Sequence, residues 1–107
     1  MSASTTAEMD ELVDRATAKL ESLEEALAGL SSIRARYTSD DGCVTAEVDG
    51  NGTLTGLWLE ESITAKPANE VGPSITSAAH EAARIAGERR AQVIDRLNNA
   101  FGVDGPQ

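Results

Sequence analysis

The sequence has few large apolar side chains and few aromatic residues. Of its 107 residues, only 21 are Leu, Val, Ile or Phe, and there is one Trp and one Tyr. A fraction of about one fifth is near the level below which charged chains tend to stay disordered. A chain of this length forms one domain by default, and so small a domain buries proportionally little surface. The chain is therefore either partly disordered or completes its core by oligomerising.

Positive charge is also scarce. Nine Lys and Arg residues stand against 18 Asp and Glu residues, so the formal net charge is −9. A charge of this sign and size excludes a uniformly basic nucleic-acid binder. The acidity is uneven, because residues 1–33 carry −5 and residues 34–62 carry −4, whereas residues 63–107 are neutral. Residues 63–107 are therefore the part of the chain that repels a polyanion least.

The sequence has a single cysteine, and it shows neither a long apolar run nor the pattern of a signal peptide. Cys43 is the single cysteine, so neither an intrachain disulfide nor a cysteine-based zinc site can form. No apolar run reaches the ~18–20 residues that span a bilayer, so we expect no membrane insertion. Residues 1–10 lack the basic start and apolar block of a signal peptide. This predicts a cytoplasmic protein and leaves a signal-independent export route open.

The first part of the chain has apolar residues in a heptad pattern. The steps alternate between four and three residues, at Met9, Val13, Ala16, Leu20, Leu23, Leu27 and Leu30. A helix over residues 7–33 would be roughly 40 Å long, which is more than a domain of this size can cover. Oligomerisation therefore explains this apolar stripe better than packing within the same domain does. We predict that four of its residues form a dimer interface: Leu20, Leu23, Leu27 and Leu30.

The middle of the chain predicts a three-stranded antiparallel meander. The strands cover residues 34–39, 43–48 and 53–59. Two turn signals separate them, Asp40-Asp41-Gly42 and Asp49-Gly50-Asn51-Gly52. A sheet of this size needs a second layer over its apolar face.

Alternation along the strands predicts which side chains share a face. In the third strand, Leu57 and Leu59 lie on one face, with Leu54 and Trp58 on the other. An interface that covers the sheet would take side chains from the second and third strands. We assign four of them to the dimer interface: Val44, Val48, Leu57 and Trp58.

The last segment predicts a long, alanine-rich helix. After a connection over residues 60–73, apolar residues recur at helical spacing, at Ile75, Ala79, Ala82, Ala86, Val93 and Leu97. Pro73 suits the first turn of this helix, or a kink if the helix starts earlier. Residues 1–6 and 103–107 are expected to be frayed tails. The expected fold class is α+β in a single domain over residues 1–107: a long helix, the meander and a long C-terminal helix.

Five arginines are the candidate DNA contacts. They lie where the first helix meets the first strand and along the last helix: Arg34, Arg36, Arg89, Arg90 and Arg96. The alternative is an ordinary solvated surface with local ion pairs, such as Arg84 with Glu81 or Glu88. A dimer with a charge of −18 would repel the duplex at long range. Any DNA affinity should therefore be modest and easily lost with added salt.

No residue pattern points to catalysis, a metal or a cofactor. His80 is the only imidazole, and no Ser or Cys is placed to form a nucleophile motif with it. Cys43 is better explained as a small packing residue than as a nucleophile. The acidic pairs Asp40-Asp41 and Glu60-Glu61 lack the spacing of a calcium loop. We expect a protein that is not an enzyme and that has no metal site and no cofactor.

Two stretches carry a resemblance to a known family. Residues 44–59, VTAEVDGNGTLTGLWL, join an alternating strand, a glycine hairpin and a second strand, and residues 78–83, AAHEAA, follow in a helix. In this order they resemble the YbaB/EbfC family of nucleoid-associated DNA-binding proteins. The resemblance implies an intertwined homodimer, with sheets joined across the two-fold axis and helices that project like tweezers. It also implies a bacterial protein of the cytoplasmic nucleoid that binds double-stranded DNA and influences DNA compaction or gene expression.

A shorter run is similar to one branch of that family. Leu54-Thr55-Gly56-Leu57, followed by Leu59-Glu60, resembles the EspL-like branch, which is associated with type VII secretion. The resemblance, together with the acidity of the chain, leads to an alternative function. This is an acidic protein-binding adaptor, or a chaperone-like accessory of type VII secretion, that has a secretion-related protein partner and no significant DNA binding.

Overall fold

The computed structural model describes residues 3–102, with side chains from residue 6 onward. Its elements are, in chain order, α1 (Ala3–Ser31), β1 (Arg34–Thr38), β2 (Val44–Asp49), β3 (Leu54–Leu59), a 3-10 helix (Glu61–Ala65) and α2 (Ala68–Ala100). The three strands form one antiparallel sheet in the order β1-β2-β3. The predicted α+β class and order of elements are confirmed. The molecule is elongated, with extents of 80 × 28 × 16 Å.

The first helix differs from the expected one at both ends. It begins at Ala3, so residues 3–6 are helical, while residues 1–2 and 103–107 of the expected tails lie outside the described residues. At the other end, the hydroxyls of Ser31 and Ser32 each donate a 3.1 Å hydrogen bond to the carbonyl oxygen three residues earlier. The N–H of Ile33 bonds to Leu30, so the Ser32 hydroxyl supplies a donor for the Gly29 carbonyl, whereas the Ala28 carbonyl also accepts from the N–H of Ser32. The helix therefore ends two residues before the expected position.

The core lies between the sheet and α2. Alternation along β2 is visible in its burial, because every second residue, beginning with Val44, is buried. Three alanines of α2 face this side of the sheet and are fully buried: Ala78, Ala82 and Ala86. Methyl side chains let the helix backbone approach the strands closely, which gives a dense core from few large residues. α2 begins at Ala68, so Pro73 lies in its second turn.

This packing corrects part of the expected dimer interface. Val44 and Val48 are 0% and 1% exposed, because α2 of the same chain covers them. They belong to the core of the subunit and offer no surface to a second chain. Leu30 is partly buried against the same core.

A bulge interrupts the pairing of β2 with β3 after Glu47. Val48 pairs with Leu54, and one extra residue of β3 lies between the two regular parts of the ladder. The extra residue turns Leu54 to the α2 side of the sheet, which is the side of Leu57. The prediction that Leu54 shares a face with Trp58 is therefore wrong, because simple alternation assumes an unbroken ladder.

Neither long helix, over the described residues, contains a stretch that is both apolar enough and long enough to cross a membrane.

Candidate nucleic-acid interface

The junction of α1, β1 and α2 brings together two of the candidate arginines. Arg34 is the first residue of β1, and its Nη1 donates to the carbonyl oxygen of Ile33 at 2.7 Å and of Ser31 at 3.5 Å. Arg89, on α2, donates from Nη1 to the backbone carbonyl oxygen of Arg34 at 2.6 Å. Both side chains thus bond to carbonyl groups at the end of α1 and the start of β1. We call Arg34 and Arg89 the arginine corner.

The arginine corner holds positive charge that no carboxylate neutralises at close range. Within residues 6–102, neither guanidinium forms an ion pair with Asp or Glu. Asp49 pairs with Arg34 across the strands, but its carboxylate accepts hydrogen bonds from the backbone N–H groups of Asn51 and Thr53. Each guanidinium has five N–H donors, of which the carbonyl groups occupy one or two. The remaining donors can bind phosphate oxygens.

Arg36 lies on the same face of β1 as Arg34, but a carboxylate and an aromatic ring hold it in place. Its Nε donates to Oε2 of Glu47 at 2.8 Å, and its Cζ lies 4.3 Å from the centre of the Trp58 ring. Oε1 of Glu47 also accepts from the hydroxyl of Thr55 at 2.9 Å. The hydrogen bond from Arg36, followed by the one from Thr55, lowers the pKa of Glu47. Because Glu47 is charged and paired, Arg36 offers less free charge to DNA than the arginine corner does.

The Trp58 ring lies across the backbone of Gly56 on the open face of the sheet. A Cβ atom at Gly56 would lie 2.5 Å from Cη2 and 2.8 Å from Cζ3 of Trp58. Only glycine therefore lets the indole lie flat here, with the guanidinium of Arg36 against its ring. Neither Glu47 nor Gly56 is among the predicted site residues. A signal is present in the sequence, because alternation puts Glu47 on the face of its strand opposite Val48, and Trp58 on the face of its strand opposite Leu57.

Arg96 and Arg90 lie on α2 beyond the sheet. Arg96 is seven residues after Arg89, about two helical turns along α2. It lines a cavity of about 130 Å³ between α1 and α2, together with Glu25. Arg90 is exposed. The structure thus joins Arg34 with Arg89 and places Arg96 in a different setting, beside α1.

Arg84 shows the alternative expected for the arginines of the last helix, which is local ion pairing. Its Nε is 3.1 Å from Glu81, and its Nη1 is 2.6 Å from Glu88. The predicted pairing with these two glutamates is confirmed. Arg84 is therefore a matched contrast to Arg89, since both are exposed arginines on α2 and only Arg84 is neutralised.

Two apolar surfaces of the chain have no partner within the described residues. The first is the β3 surface, whose four residues are 39% to 48% exposed: Leu54, Leu57, Trp58 and Leu59. β3 is an edge strand, so one side of its backbone is also open. The second is the α1 seam, which is exposed throughout: Met9, Val13, Ala16, Leu20, Leu23 and Leu27. Contiguous exposed apolar residues of this kind mark contact surfaces.

The remaining reactive side chains form no site in the described part of the chain. Cys43 is buried, with its Sγ 3.3 Å from Oγ of Ser62. His80 is exposed on α2. Among the described residues, no three His, Cys, Asp or Glu side chains come close enough to hold a metal ion.

Comparisons with known proteins agree with this geometry. The model of the YbaB/EbfC DNA-binding family matches residues 6–101. The crystal structure of the uncharacterized protein HP0035 from Helicobacter pylori is similar to 78% of this chain over 95% of its own. The sequence identity is 20% and the TM-score is 0.53, a likeness that shows a shared fold. No curated protein matches the chain.

Proposed function

Because the chain belongs to the YbaB/EbfC DNA-binding family, we propose that it is a small homodimer that binds double-stranded DNA in the bacterial nucleoid. In this role it influences DNA organisation or gene expression. The observation that carries the proposal is the arginine corner, where the Arg89 side chain bonds to the backbone of Arg34 and neither guanidinium forms an ion pair within residues 6–102. Guanidinium groups bind phosphate oxygens through paired N–H donors. Such contacts hold the DNA backbone and do not read its sequence.

The acidity of the chain sets the strength of this binding. A charge of −9 repels DNA at distances beyond the arginine corner, so the approach to the duplex is slow and the complex is weak. In a dimer, two corners bind one duplex together, and the second contact is favoured by its high effective concentration. DNA binding by this chain therefore depends on the dimer.

Fluorescence anisotropy of a labelled duplex tests DNA binding. We expect binding at micromolar protein in ~50 mM salt, and a linear fall of log K with log salt concentration. The slope counts the phosphates that the dimer contacts. An unchanged anisotropy at micromolar protein in ~50 mM salt would contradict the proposed function.

The β3 surface supports the homodimer. No charged residue and no proline lies between Leu54 and Leu59, although natural edge strands usually carry one to prevent pairing. A second copy that pairs with β3 in the antiparallel sense would continue the sheet across a two-fold axis and cover these leucines. Leu57 and Trp58 then lie at the interface, as the sequence predicts.

Light scattering of the full chain tests the homodimer. We expect the mass of two chains at micromolar concentration, and a shift towards monomer in Leu57→Lys, which places a charge in the interface. The control is Thr53→Lys, because Thr53 is exposed just before β3. A folded wild-type monomer, or equal effects of both substitutions, would contradict this interface.

A second candidate function is an acidic protein-binding adaptor or chaperone-like accessory of type VII secretion. One observation favours it: four exposed acids share the side of α1 opposite the α1 seam, at Glu8, Glu11, Asp14 and Glu21, whereas Glu25 on that side lines the cavity beside Arg96. This side of α1 repels DNA and suits a basic protein segment. A pull-down from native lysate after nuclease treatment separates the two functions. A stoichiometric protein partner, together with no DNA binding in the anisotropy titration, favours the adaptor.

A further inference from the structure

We propose that the α1 seam is the docking site for a basic amphipathic helix of another protein. The inference goes beyond DNA binding, and it deepens the second candidate function by naming the chemistry of the protein partner and the surface that binds it. It rests on that candidate function only for the presence of a protein partner. The homodimer through the β3 surface uses a different element of the chain, so it does not require the seam.

Within the described residues, the α1 seam lies on the side of α1 away from α2. None of the α1 residues that line the cavity beside α2 belongs to the seam: Ser22, Glu25, Ala26 and Gly29. Leu20 and Leu27, on the seam, are 56% and 57% exposed. An apolar stripe that its own chain leaves open in this way marks a contact surface for another molecule.

The spacing of the α1 seam fits a helix. Its residues recur every three or four positions from Met9 to Leu27. With a rise of about 1.5 Å per residue, the stripe is about 27 Å long. A partner helix of this length that carries apolar residues at the same spacing lays its apolar side along the stripe. An extended segment has a side-chain period of two residues and cannot match the stripe over this length.

One edge of the α1 seam is acidic. Asp10 and Glu24 adjoin the seam on this edge, and Asp14 and Glu21 lie one row further out. All four are exposed, and within residues 6–102 none of them forms an ion pair. Lysine and arginine side chains of a docked helix reach both rows, while their methylene groups cover apolar surface. A basic helix therefore neutralises carboxylates that the subunit itself leaves without a cation.

The same charges disfavour the other common ligands of an amphipathic helix. Carboxylates at the edge of the seam repel DNA and the anionic surface of a bilayer. A second copy of α1 is also acidic, since residues 1–33 carry −5 in each chain. A basic helix brings the opposite charge to the same apolar stripe, so charge complementarity favours it over a second copy.

Binding of a synthetic peptide to the full chain tests the inference. The probe is a fluorescein-labelled helix of about three heptads, with Leu at both seam positions and Lys at both flanking positions of each heptad. Lysine on both flanks keeps the peptide from pairing with itself and lets it bind in either direction. The control peptide has Glu in place of every Lys. By fluorescence anisotropy, we expect micromolar affinity for the lysine peptide and at least about tenfold weaker binding of the glutamate peptide.

A double substitution on the α1 seam tests the apolar contact. Leu20→Gln with Leu27→Gln removes apolar surface and keeps the charge and the helix preference of α1. It should weaken binding of the lysine peptide by about tenfold or more. If this variant loses its helical circular dichroism, Val13→Gln repeats the test further along the seam. Unchanged binding in a folded variant, or equal binding of the two peptides, would overturn the proposal.

Two pairs of charge substitutions test the acidic edge. Asp10→Asn with Glu24→Gln, beside the seam, should weaken binding of the lysine peptide several-fold. Glu8→Gln with Glu11→Gln makes the same change of charge away from the seam and should have much less effect. Equal losses in the two pairs would assign the binding to the net charge of the chain and overturn the docking site.

Two further measurements distinguish the other outcomes. If light scattering shows that Leu20→Gln with Leu27→Gln turns a wild-type dimer into a folded monomer, a second copy covers the seam and the proposal is wrong. In the pull-down after nuclease treatment, a partner captured equally by the wild type and by this variant overturns the docking site and leaves the adaptor function standing. No partner for the wild type contradicts the adaptor function itself.

Discussion

The guanidinium of Arg89 donates a 2.6 Å hydrogen bond to the backbone carbonyl oxygen of Arg34, 55 residues earlier in the chain. This bond connects the middle of α2 with the start of the edge strand β1. Within residues 6–102, neither arginine forms an ion pair with a carboxylate.

The first prediction concerns DNA affinity. Arg34→Ala with Arg89→Ala removes the arginine corner, so the slope of log K against log salt should fall by about one for each phosphate group that the variant no longer binds. Affinity at about 0.1 M salt should fall up to about tenfold for each of these phosphate groups. Anisotropy titrations over a range of salt concentrations measure both quantities.

The control for this prediction is Arg84→Ala. Arg84 is exposed on the same helix, but Glu81 and Glu88 already neutralise it. We expect its removal to leave the salt slope unchanged. If Arg84→Ala weakens binding as much as the double substitution does, the affinity for DNA depends on the total charge of the chain and not on the arginine corner.

The second prediction concerns Gly56. In Gly56→Ala, the added Cβ collides with the Trp58 ring, so the indole must leave the guanidinium of Arg36. We expect a loss of about 1–3 kcal/mol in the free energy of unfolding. Trp58 is the only tryptophan, so its fluorescence emission and its quenching by acrylamide report the displacement directly.

Gly87→Ala is the matched control for this substitution. Gly87 lies in α2, it is not followed by proline, and a Cβ there has no neighbour within 4 Å. Alanine should therefore raise the free energy of unfolding by up to about 1 kcal/mol and leave the emission of Trp58 unchanged. An unchanged spectrum in Gly56→Ala would mean that the indole does not lie over Gly56 in solution.

The third prediction concerns the contact of α2 with the sheet. Ala82 is fully buried against β2, so Ala82→Leu forces α2 away from the strands and should lower the free energy of unfolding by about 1–3 kcal/mol. Ala91→Leu, at an exposed position of the same helix, should change it by less than about 0.5 kcal/mol. Urea denaturation followed by circular dichroism measures both. Similar losses at the two positions would contradict the close packing of α2 on the sheet.

The fourth prediction concerns the pH dependence of stability. Asp41 accepts hydrogen bonds from the Nζ of Lys66, from the hydroxyl of Ser39 and from the backbone N–H of Cys43. These donors, Lys66 first, hold the pKa of Asp41 well below its usual range. A carboxyl whose pKa is lower in the folded state adds stability above its unfolded pKa of about 4 and loses it progressively at lower pH. The bonds join the turn between β1 and β2 to the segment before α2.

Asp41→Asn tests this effect. The urea midpoint of the variant should fall less than that of the wild type between pH 5 and pH 2, and it should be lower than that of the wild type at pH 7. Asp40→Asn is the control, because the exposed Asp40 side chain makes no hydrogen bond or ion pair within residues 6–102. The same pH dependence in Asp41→Asn and the wild type would assign the acid response to other carboxyl groups.

The sequence predicts several features of the fold correctly because they depend on neighbours along the chain. The Asp49–Gly52 turn and the alternation of β2 are local patterns, and they define the hairpin and the buried face of the central strand. The pairing of Arg84 with Glu81 and Glu88 follows from helical spacing alone. The order of elements and the family resemblance rest on the same local signals.

Other features are beyond prediction because they depend on residues far apart in the chain. The sequence places Val44 and Val48 at the dimer interface, since no local pattern tells whether α2 of the same chain or a second copy covers a sheet face. The bulge at Glu47 moves Leu54 to the α2 side, and it arises from how two strands match along their whole length. The exposure of the β3 surface is likewise a result of how far α2 extends over the sheet.

For this protein, the sequence by itself determined the elements, the acidity and the apolar stripe of α1, because backbone preference, charge and periodicity are properties of neighbouring residues. Only the tertiary structure decided which arginines meet and which are neutralised. Arg89 reaches Arg34 because α2 packs across the start of β1, while Arg36 pairs with Glu47 because antiparallel register places them opposite each other. Free positive charge in an acidic chain is thus a consequence of packing, since packing sets the distance between each arginine and the nearest carboxylate.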